Sequence, residues 1–231
     1  MQMIRNNLQS VRERIAGACA SAQRHVNEVT LLAVSKTFGP DAVREAFEAG
    51  QRAFGENYIQ EGVEKIGLLA DLPLEWHCIG PIQSNKTRLV AAHFHWAHTV
   101  DRLKVAQRLS EQRPDTLAPL QVCVQVNIDG GANKSGVAPG EALELAREIA
   151  QLPRLELRGL MSIPEPAEDF EAQKAVHAKA RALFDELRDA GLAIDTLSMG
   201  MTADLEAAIA AGSTMVRVGT AIFGGRPAKT A

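Results

Sequence analysis

Along the 231-residue chain, short runs of apolar and β-branched residues alternate with longer stretches in which apolar positions recur every three or four residues. The first pattern reads as strand and the second as amphipathic helix. The strand-like runs lie around 29–36, 51–55, 75–80, 96–100, 120–128, 155–163, 195–199 and 215–223, eight in all. Helical stretches separate them, and one more, at about 1–25, precedes the first. Strand-then-helix repetition calls for parallel pairing with right-handed crossovers, and eight such units can close into a (β/α)8 TIM barrel, an α/β fold. The leading helix then takes the place of the one missing after strand 8. An open doubly wound sheet is the competing architecture, but the GxGxxG turn that usually follows its first strand is absent. No linker or low-complexity segment interrupts the alternation, so a single domain is expected across 1–231, with the barrel at about 29–225.

Polar residues break the pattern where the strands end. These ends read "SK", "GENY", "HCIGPIQSNK", "VNIDGGANKSG", "MSIPEP", "SMGMTADL" and "VRVGTAIFG", whereas the helix-to-strand turns, such as "EAGQRA" and "QLPRLE", are plain connectors. In a barrel the loops after the strands form the functional face, so one rim is chemically loaded. Period-two alternation sorts the side chains further. In "QVCVQVNI", Val122, Val124, Val126 and Ile128 suit a helix-covered outer face, which turns Cys123, Gln125 and Asn127 inward. In strand 8, outward Val216 and Val218 turn Arg217 and Gly219 inward. Lys36 shares its side with Leu32 and Val34, and because strand 8 closes against strand 1, Lys36 and Arg217 are expected to approach each other.

Two cations in a confined site are costly unless an anion or a covalent change relieves them. Burial and a cationic neighbour both depress a lysine pKa, giving the free amine that attacks carbonyls. Barrels often hold phosphate with the loops after strands 7 and 8. Here Ser198 and Gly200 precede a helix that Thr202 can cap, and Gly219 and Thr220 let backbone N–H groups approach. An aldehyde that carries a phosphate would satisfy the lysine and these loops together.

Composition narrows the setting. With 46% hydrophobic and 23% charged residues the chain is an ordinary globular protein. Its net charge of −3, without a basic run, argues against nucleic acid or an anionic membrane as partner. Cys19, Cys78 and Cys123 are odd in number and lack CxxC spacing, which fits a reducing compartment. The N-terminal stretch has no apolar core of a signal peptide, and nothing approaches a membrane span, so a cytoplasmic location is expected.

The motifs "AVSK", "FGENYIQE", "WHCIGPIQSNK", "GLMSI", "LSMGMTADLEAAI" and "VRVGTAIFG" occur in order from about residue 29 to 225. On these the chain resembles the pyridoxal phosphate homeostasis proteins, a single-domain family similar to the N-terminal barrel of alanine racemases. The resemblance implies that Lys36 holds pyridoxal 5′-phosphate (PLP) as a Schiff base. It also implies that Asn57 lies beside the cofactor, that Ser198, Gly200, Gly219 and Thr220 surround its phosphate, and that Arg217 faces the pyridine nitrogen. An arginine there would keep that nitrogen unprotonated and weaken the ring as an electron sink.

The implied function is that of a carrier or buffer in intracellular PLP (vitamin B6) homeostasis, without catalysis, expected to be a monomer that serves PLP-requiring apo-enzymes. A PLP-dependent racemase or related enzyme is the alternative. Racemases of this fold add a second, β-rich domain with a catalytic tyrosine; this sequence ends at Ala231, and its one tyrosine, Tyr58, opens the second helix. No opposed acid/base pair for two-sided proton transfer is identifiable.

Each marked residue also has a plainer role to weigh. Arg217 can form an ion pair with an interior carboxylate such as Glu56, and Asn57 can cap the second helix. His93, His95 and His98 invite a metal reading, but no nearby carboxylate or thiol completes a tetrahedral set, and no metal is expected. His77 and Cys78 read as packing residues of strand 3. Lys134 either reaches the barrel mouth or is a solvated loop lysine.

Overall fold

The computed structural model describes residues 2–131 and 135–225. The Lys134 loop position lies outside the described residues.

Eight parallel strands pair in chain order and close, β1 against β8, into a barrel. After helix α1 (Gln2–Ser21) come β1 (Thr30–Val34), α2 (Pro40–Glu48), β2 (Ala53–Glu56), α3 (Ile59–Leu68), β3 (Glu75–Cys78) and α4 (Thr87–His93). The middle of the chain supplies β4 (Trp96–Val100), α5 (Leu103–Gln112), β5 (Leu120–Gln125), α6 (Ala142–Ala150) and β6 (Leu155–Met161). It finishes with α7 (Phe170–Asp189), β7 (Thr196–Ser198), α8 (Leu205–Ala210), β8 (Met215–Val218) and α9 (Thr220–Phe223).

Alternation divides the core as the sequence pattern anticipates. Outward side chains, among them Ala33, Phe54, Val122, Val124, Val216 and Val218, pack with the helices into one continuous layer. Leu32, Val34, Ala53, Ile79, Trp96, Cys123, Met161 and Met215 form a separate cluster inside the barrel. Leu32 is registered against Arg217 across the β1–β8 seam.

Strand 8 is shorter than its apolar run. It stops at Val218, and the residues up to Phe223 coil into α9 instead of continuing to 223 as strand. A Cβ on Gly219 would stand 3.2 Å from the Val34 carbonyl oxygen, so the bare backbone of β8 passes tightly against β1 as it turns. Ile222 and Phe223 then donate their N–H groups to the Gly219 carbonyl, and Phe223 stacks on Phe38 at 5.2 Å. Apolar content identified the segment as buried; the short turn shows only in the backbone.

Because α9 is a single turn, α1 supplies the missing wall. Its buried residues Ile4, Leu8, Val11, Ile15 and Ala18 recur every three or four positions and face α8 and α9. Asn7 donates to the Ile222 carbonyl at 2.8 Å, and Arg24 donates to the carbonyls of Ile209 and Ser213. Leu8 has no exposed surface. Leu8→Ala is expected to destabilise the protein by about 2–4 kcal/mol through lost burial and the cavity left behind. Urea denaturation measures this, and a change under about 0.5 kcal/mol, the size of an ordinary surface substitution, would show that α1 is not part of the core.

Candidate functional site

At the C-terminal ends of the strands the loops enclose a cavity of about 330 Å³. Its wall includes Val34, Lys36 and Thr37 from the end of β1, Asn57 after β2 and Ile79 after β3. Ile163, Met201, Thr202 and Ala203 come from the loops after β6 and β7, and Arg217, Gly219 and Thr220 from β8 and the turn beyond it.

Lys36 sits on backbone that is clamped on both sides. Before it, the Ser35 hydroxyl donates to Glu56 Oε1 at 2.6 Å, and the Ser35 carbonyl accepts from Lys65 Nζ at 2.9 Å. After it, Thr37 adopts a left-handed conformation, with φ 68°, and its N–H donates to Glu61 Oε1 at 2.6 Å. Lys65 joins the two clamps, bonding Glu56 at 2.6 Å and Glu61 at 3.2 Å. The Glu56 and Lys65 side chains are both buried between β2 and α3. Burial pushes the Glu56 carboxyl above its ordinary value, and the Lys65 and Ser35 bonds pull it back. Glu56 therefore points out of the barrel, and the expected alternative of an Arg217–Glu56 pair is replaced by Glu56–Lys65. Lys65 was readable only as an i,i+4 partner of Glu61 on a helix surface.

Arg217 is buried on the inner face of β8. Its Nη1 donates to Ser198 Oγ at 2.7 Å and its Nη2 to the Ser162 carbonyl at 3.0 Å. Burial pulls the guanidinium down to about 10, so it remains a cation at neutral pH. Its backbone N–H donates to the Gly200 carbonyl, which ties the loop after β7 to β8.

Five of the seven residues expected at a cofactor site, Lys36, Asn57, Arg217, Gly219 and Thr220, line the cavity; Ser198 and Gly200 do not. Ser198 lies beneath, wholly buried, its hydroxyl engaged by Arg217 and by His98 Nδ1 at 2.9 Å. The sequence places Ser198 before a helix but does not say how far below the rim. Gly200 shapes the loop: its φ is 98°, and a Cβ would come within 2.5 Å of Ala208 Cβ. Thr202 lines the cavity and does not cap the following helix. The residue at that position is Asp204, whose carboxylate accepts from the Met201 N–H at 2.7 Å and bonds His177 Nε2 at 2.8 Å. Asn57 likewise is not the cap of α3; that position is Tyr58. Gly80 packs against Asn57, since a Cβ there would strike the Asn57 carbonyl at 1.9 Å.

The histidines separate. His93 and His95 are exposed, His95 accepting the Trp76 N–H at its Nδ1, while His98 is buried inside the barrel next to His77. His77 stacks on Trp96, and Cys78 points outward into the helix-facing layer. Burial drives the pKa of His77 below the ordinary histidine value of 6.5, and burial together with the His77 and Arg217 charges drives that of His98 well below it.

Residues 2–227 match the family described as the alanine racemase N-terminal domain. A pyridoxal phosphate homeostasis protein of Pseudomonas aeruginosa is 58% identical over 226 residues, spanning 98% of this chain and 97% of the relative. One of Escherichia coli K12 is 54% identical over 229 residues, spanning 98% of each. PipY of Synechococcus elongatus, solved with PLP bound, superimposes with a TM-score of 0.80 at 38% identity, covering 91% of this chain and all of that one. By fold and site the chain thus carries the barrel of the alanine racemase N-terminal domain. Within that class it belongs to the pyridoxal phosphate homeostasis protein family.

Two outcomes are expected from this geometry. Lys65→Met leaves Glu56 buried without its cation and should cost about 3–5 kcal/mol in urea unfolding, as removal of one partner of a buried pair does; a loss below 1 kcal/mol would show the pair to be dispensable. The lowered pKa values of His77 and His98 mean that the unfolded chain binds more protons below pH 6.5. Their contribution is complete above that pH and is lost as pH falls, by up to about 1.4 kcal/mol per pH unit for each ring. Stability measured between pH 7 and 5 should therefore decline less steeply in His98→Gln than in the parent, and equal slopes would contradict the assignment.

Proposed function

We propose that the chain holds PLP in this cavity as a Schiff base on Lys36 and acts in cytoplasmic PLP homeostasis as a carrier or buffer, not as an enzyme. The observation that carries the reading is the convergence of Lys36, Asn57, Arg217, Gly219 and Thr220 on one cavity of about 330 Å³ at the loaded rim. Two further features suit that ligand. Asn57 Oδ1 and Thr37 Oγ1 are buried without a hydrogen-bond partner, although both residues line the cavity. Polar atoms in that state are commonly completed by a ligand. Arg217 would supply a fixed cation to the pyridine nitrogen, and the turns at 201–203 and 219–220, which line the cavity, would offer backbone to the phosphate. Ser198 and Gly200 then act from behind, one on the Arg217 guanidinium and the other on the loop.

Binding needs one covalent step. The unprotonated Nζ of Lys36 attacks the aldehyde carbon, the carbonyl oxygen leaves as water, and a C=N bond remains. When bound, PLP supplies electron withdrawal from the carbon attached to that nitrogen. Racemisation would require a proton-transfer group on each face of an amino-acid substrate. Among the described residues Lys36 is the one cavity-lining side chain suited to that exchange near neutral pH, and Tyr58 is half exposed outside the cavity. Exposed Ile163 and Met201 at the rim leave a path outward. We take the working form to be a monomer, with PLP-requiring apo-enzymes as recipients. None of the described helices is long and apolar enough to cross a membrane, which is compatible with the proposed location.

The purified protein is expected to take up PLP with a visible absorption band. Borohydride should fix the adduct on Lys36, and Lys36→Ala should lose the band while remaining folded. Recovery of the label on Lys86, with the band intact in Lys36→Ala, would refute the site. Loaded protein mixed with an apo-enzyme and an excess of a free-PLP trap is expected to activate the apo-enzyme above the trapped control. No activation would refute direct delivery, and steady racemisation of alanine would overturn the non-catalytic reading.

A further inference from the structure

The polar column inside the barrel does not end at Ser198. From Arg217 a continuous series of hydrogen bonds runs to the opposite mouth. Arg217 Nη1 meets Ser198 Oγ at 2.7 Å, Ser198 Oγ meets His98 Nδ1 at 2.9 Å, and His98 Nε2 meets His77 Nδ1 at 2.8 Å. His77 Nε2 then meets Glu75 Oε1 at 2.7 Å. Glu75 is the first residue of β3, at the end of the barrel away from the cavity, and its side chain is 46% exposed. Ser198, His98 and His77 are fully buried, and Arg217 is nearly so. The series therefore crosses from β8 and β7 to β4 and β3 through the interior.

Its polarity is set from the Glu75 end. A guanidinium only donates and a carboxylate only accepts. Because Glu75 accepts, His77 must carry its proton on Nε2, which leaves Nδ1 of the neutral ring as an acceptor. That acceptor requires the proton of His98 on Nε2, so His98 Nδ1 in turn accepts from the Ser198 hydroxyl. The Ser198 oxygen is then left with its lone pairs toward Arg217, as a pure donor there needs. Arg217 alone would leave the direction open, because a hydroxyl can accept two hydrogen bonds; the carboxylate at the far end settles it. One tautomer of each histidine satisfies every member, and the rings are held by stacking of His77 on Trp96 at 5.0 Å and its edge contact with His98 at 5.1 Å.

An apolar interior would pack such a barrel with less desolvation, so a series satisfied in one direction only calls for a purpose. A carboxylate beside Arg217 would hold it more simply, but would neutralise it. Among the described residues none bonds to it. The relay instead presents two uncharged acceptors, Ser198 Oγ and the Ser162 carbonyl. Asp204, whose charge is felt by Arg217, bonds His177 and the Met201 N–H rather than the guanidinium. We infer that His98, His77 and Glu75 are positioning residues: a one-way hydrogen-bond relay through the barrel turns the Ser198 oxygen toward Arg217, and so aims a guanidinium bonded only to neutral acceptors at the ring nitrogen of the cofactor. This rests on the proposed PLP site; the relay itself is a property of the protein without cofactor.

The test therefore has two arms. In ¹⁵N-histidine NMR of the full-length, cofactor-free protein at neutral pH, His98 and His77 are expected as Nε2–H tautomers. Glu75→Lys puts a donor at the accessible end, and should convert both rings to Nδ1–H and turn the Ser198 hydroxyl around. In the second arm, PLP itself is the probe. Glu75→Lys and His98→Leu should each weaken its binding by about tenfold, the loss of one hydrogen bond to a charged group, and shift the absorption band of the bound form. His98→Gln can accept from Ser198 and donate to His77, and should restore most of both. Nδ1–H rings in the parent protein would overturn the relay. Parent-like PLP affinity and spectrum in both Glu75→Lys and His98→Leu would overturn its positioning role while leaving the PLP site intact. A parent protein that takes up no PLP removes the site and this role together, with the NMR arm still reporting on the relay.

Discussion

Burying the Arg217 guanidinium inside a closed barrel is the constraint to which the rest of the interior answers. A charge taken out of water must be given donors' partners in return, or it is lost or expelled. Here the return comes from a backbone carbonyl and a serine hydroxyl, so the cation is kept at neutral pH without a carboxylate bonded to it. That choice fixes what surrounds it. The serine oxygen has to be turned toward Arg217, which requires an acceptor for the serine's own proton, and that role falls to His98. The neighbouring interior positions, including Leu32, Cys123, Met161 and Met215, are apolar. Polar side chains occupy the column where hydrogen-bond accounting demands them.

A second rigid unit lies across the seam. The Glu56–Lys65 pair does not touch the cavity, yet through Ser35 and Glu61 it holds the chain immediately before and after Lys36. Lys36 thus stands on a backbone whose neighbours have few alternatives, while its side chain lines the cavity.

How far the sequence carried depended on which physical rule governed each residue. Period-two alternation turned Arg217 inward and Val216 and Val218 outward, and strand order brought Lys36 to the same rim; both follow from backbone geometry alone. In the sequence Ser198 is placed only by its position before a helix and by the resemblance, and neither says anything of height along the barrel axis, so a residue beneath the cavity is indistinguishable from one in its wall. Glu56 reads as an interior carboxylate only if the parity of β2 is ignored: outward Phe54 makes Glu56 outward too. Lys65 stayed hidden since a helical lysine paired with Glu61 looks the same whether it lies on the surface or under a strand. In the sequence His98 falls in the cluster His93, His95 and His98, which invites a metal reading that no fourth ligand completes. In the fold, strand geometry gives it His77 as a neighbour instead. Thr202 and Asp204 are both acceptable caps, and a two-residue difference in where a helix begins is beyond propensity.

The β1–β8 seam has a bearing on the order of events during synthesis. Lys36 and Arg217 line one cavity but lie at opposite ends of the chain, with seven of the eight strands emerging from the ribosome before β8 exists. The N-terminal helix waits as well, because the surface it covers is built from α8 and α9. Contacts so distant in sequence are slow to form, as a long loop must close before they repay it. On the proposed reading, a nascent chain displays Lys36 long before it has the arginine, the backbone turns or the closed interior that complete the site. The cavity becomes complete only at the last strand, so occupancy by a ligand that needs both residues would mark a chain that has finished folding.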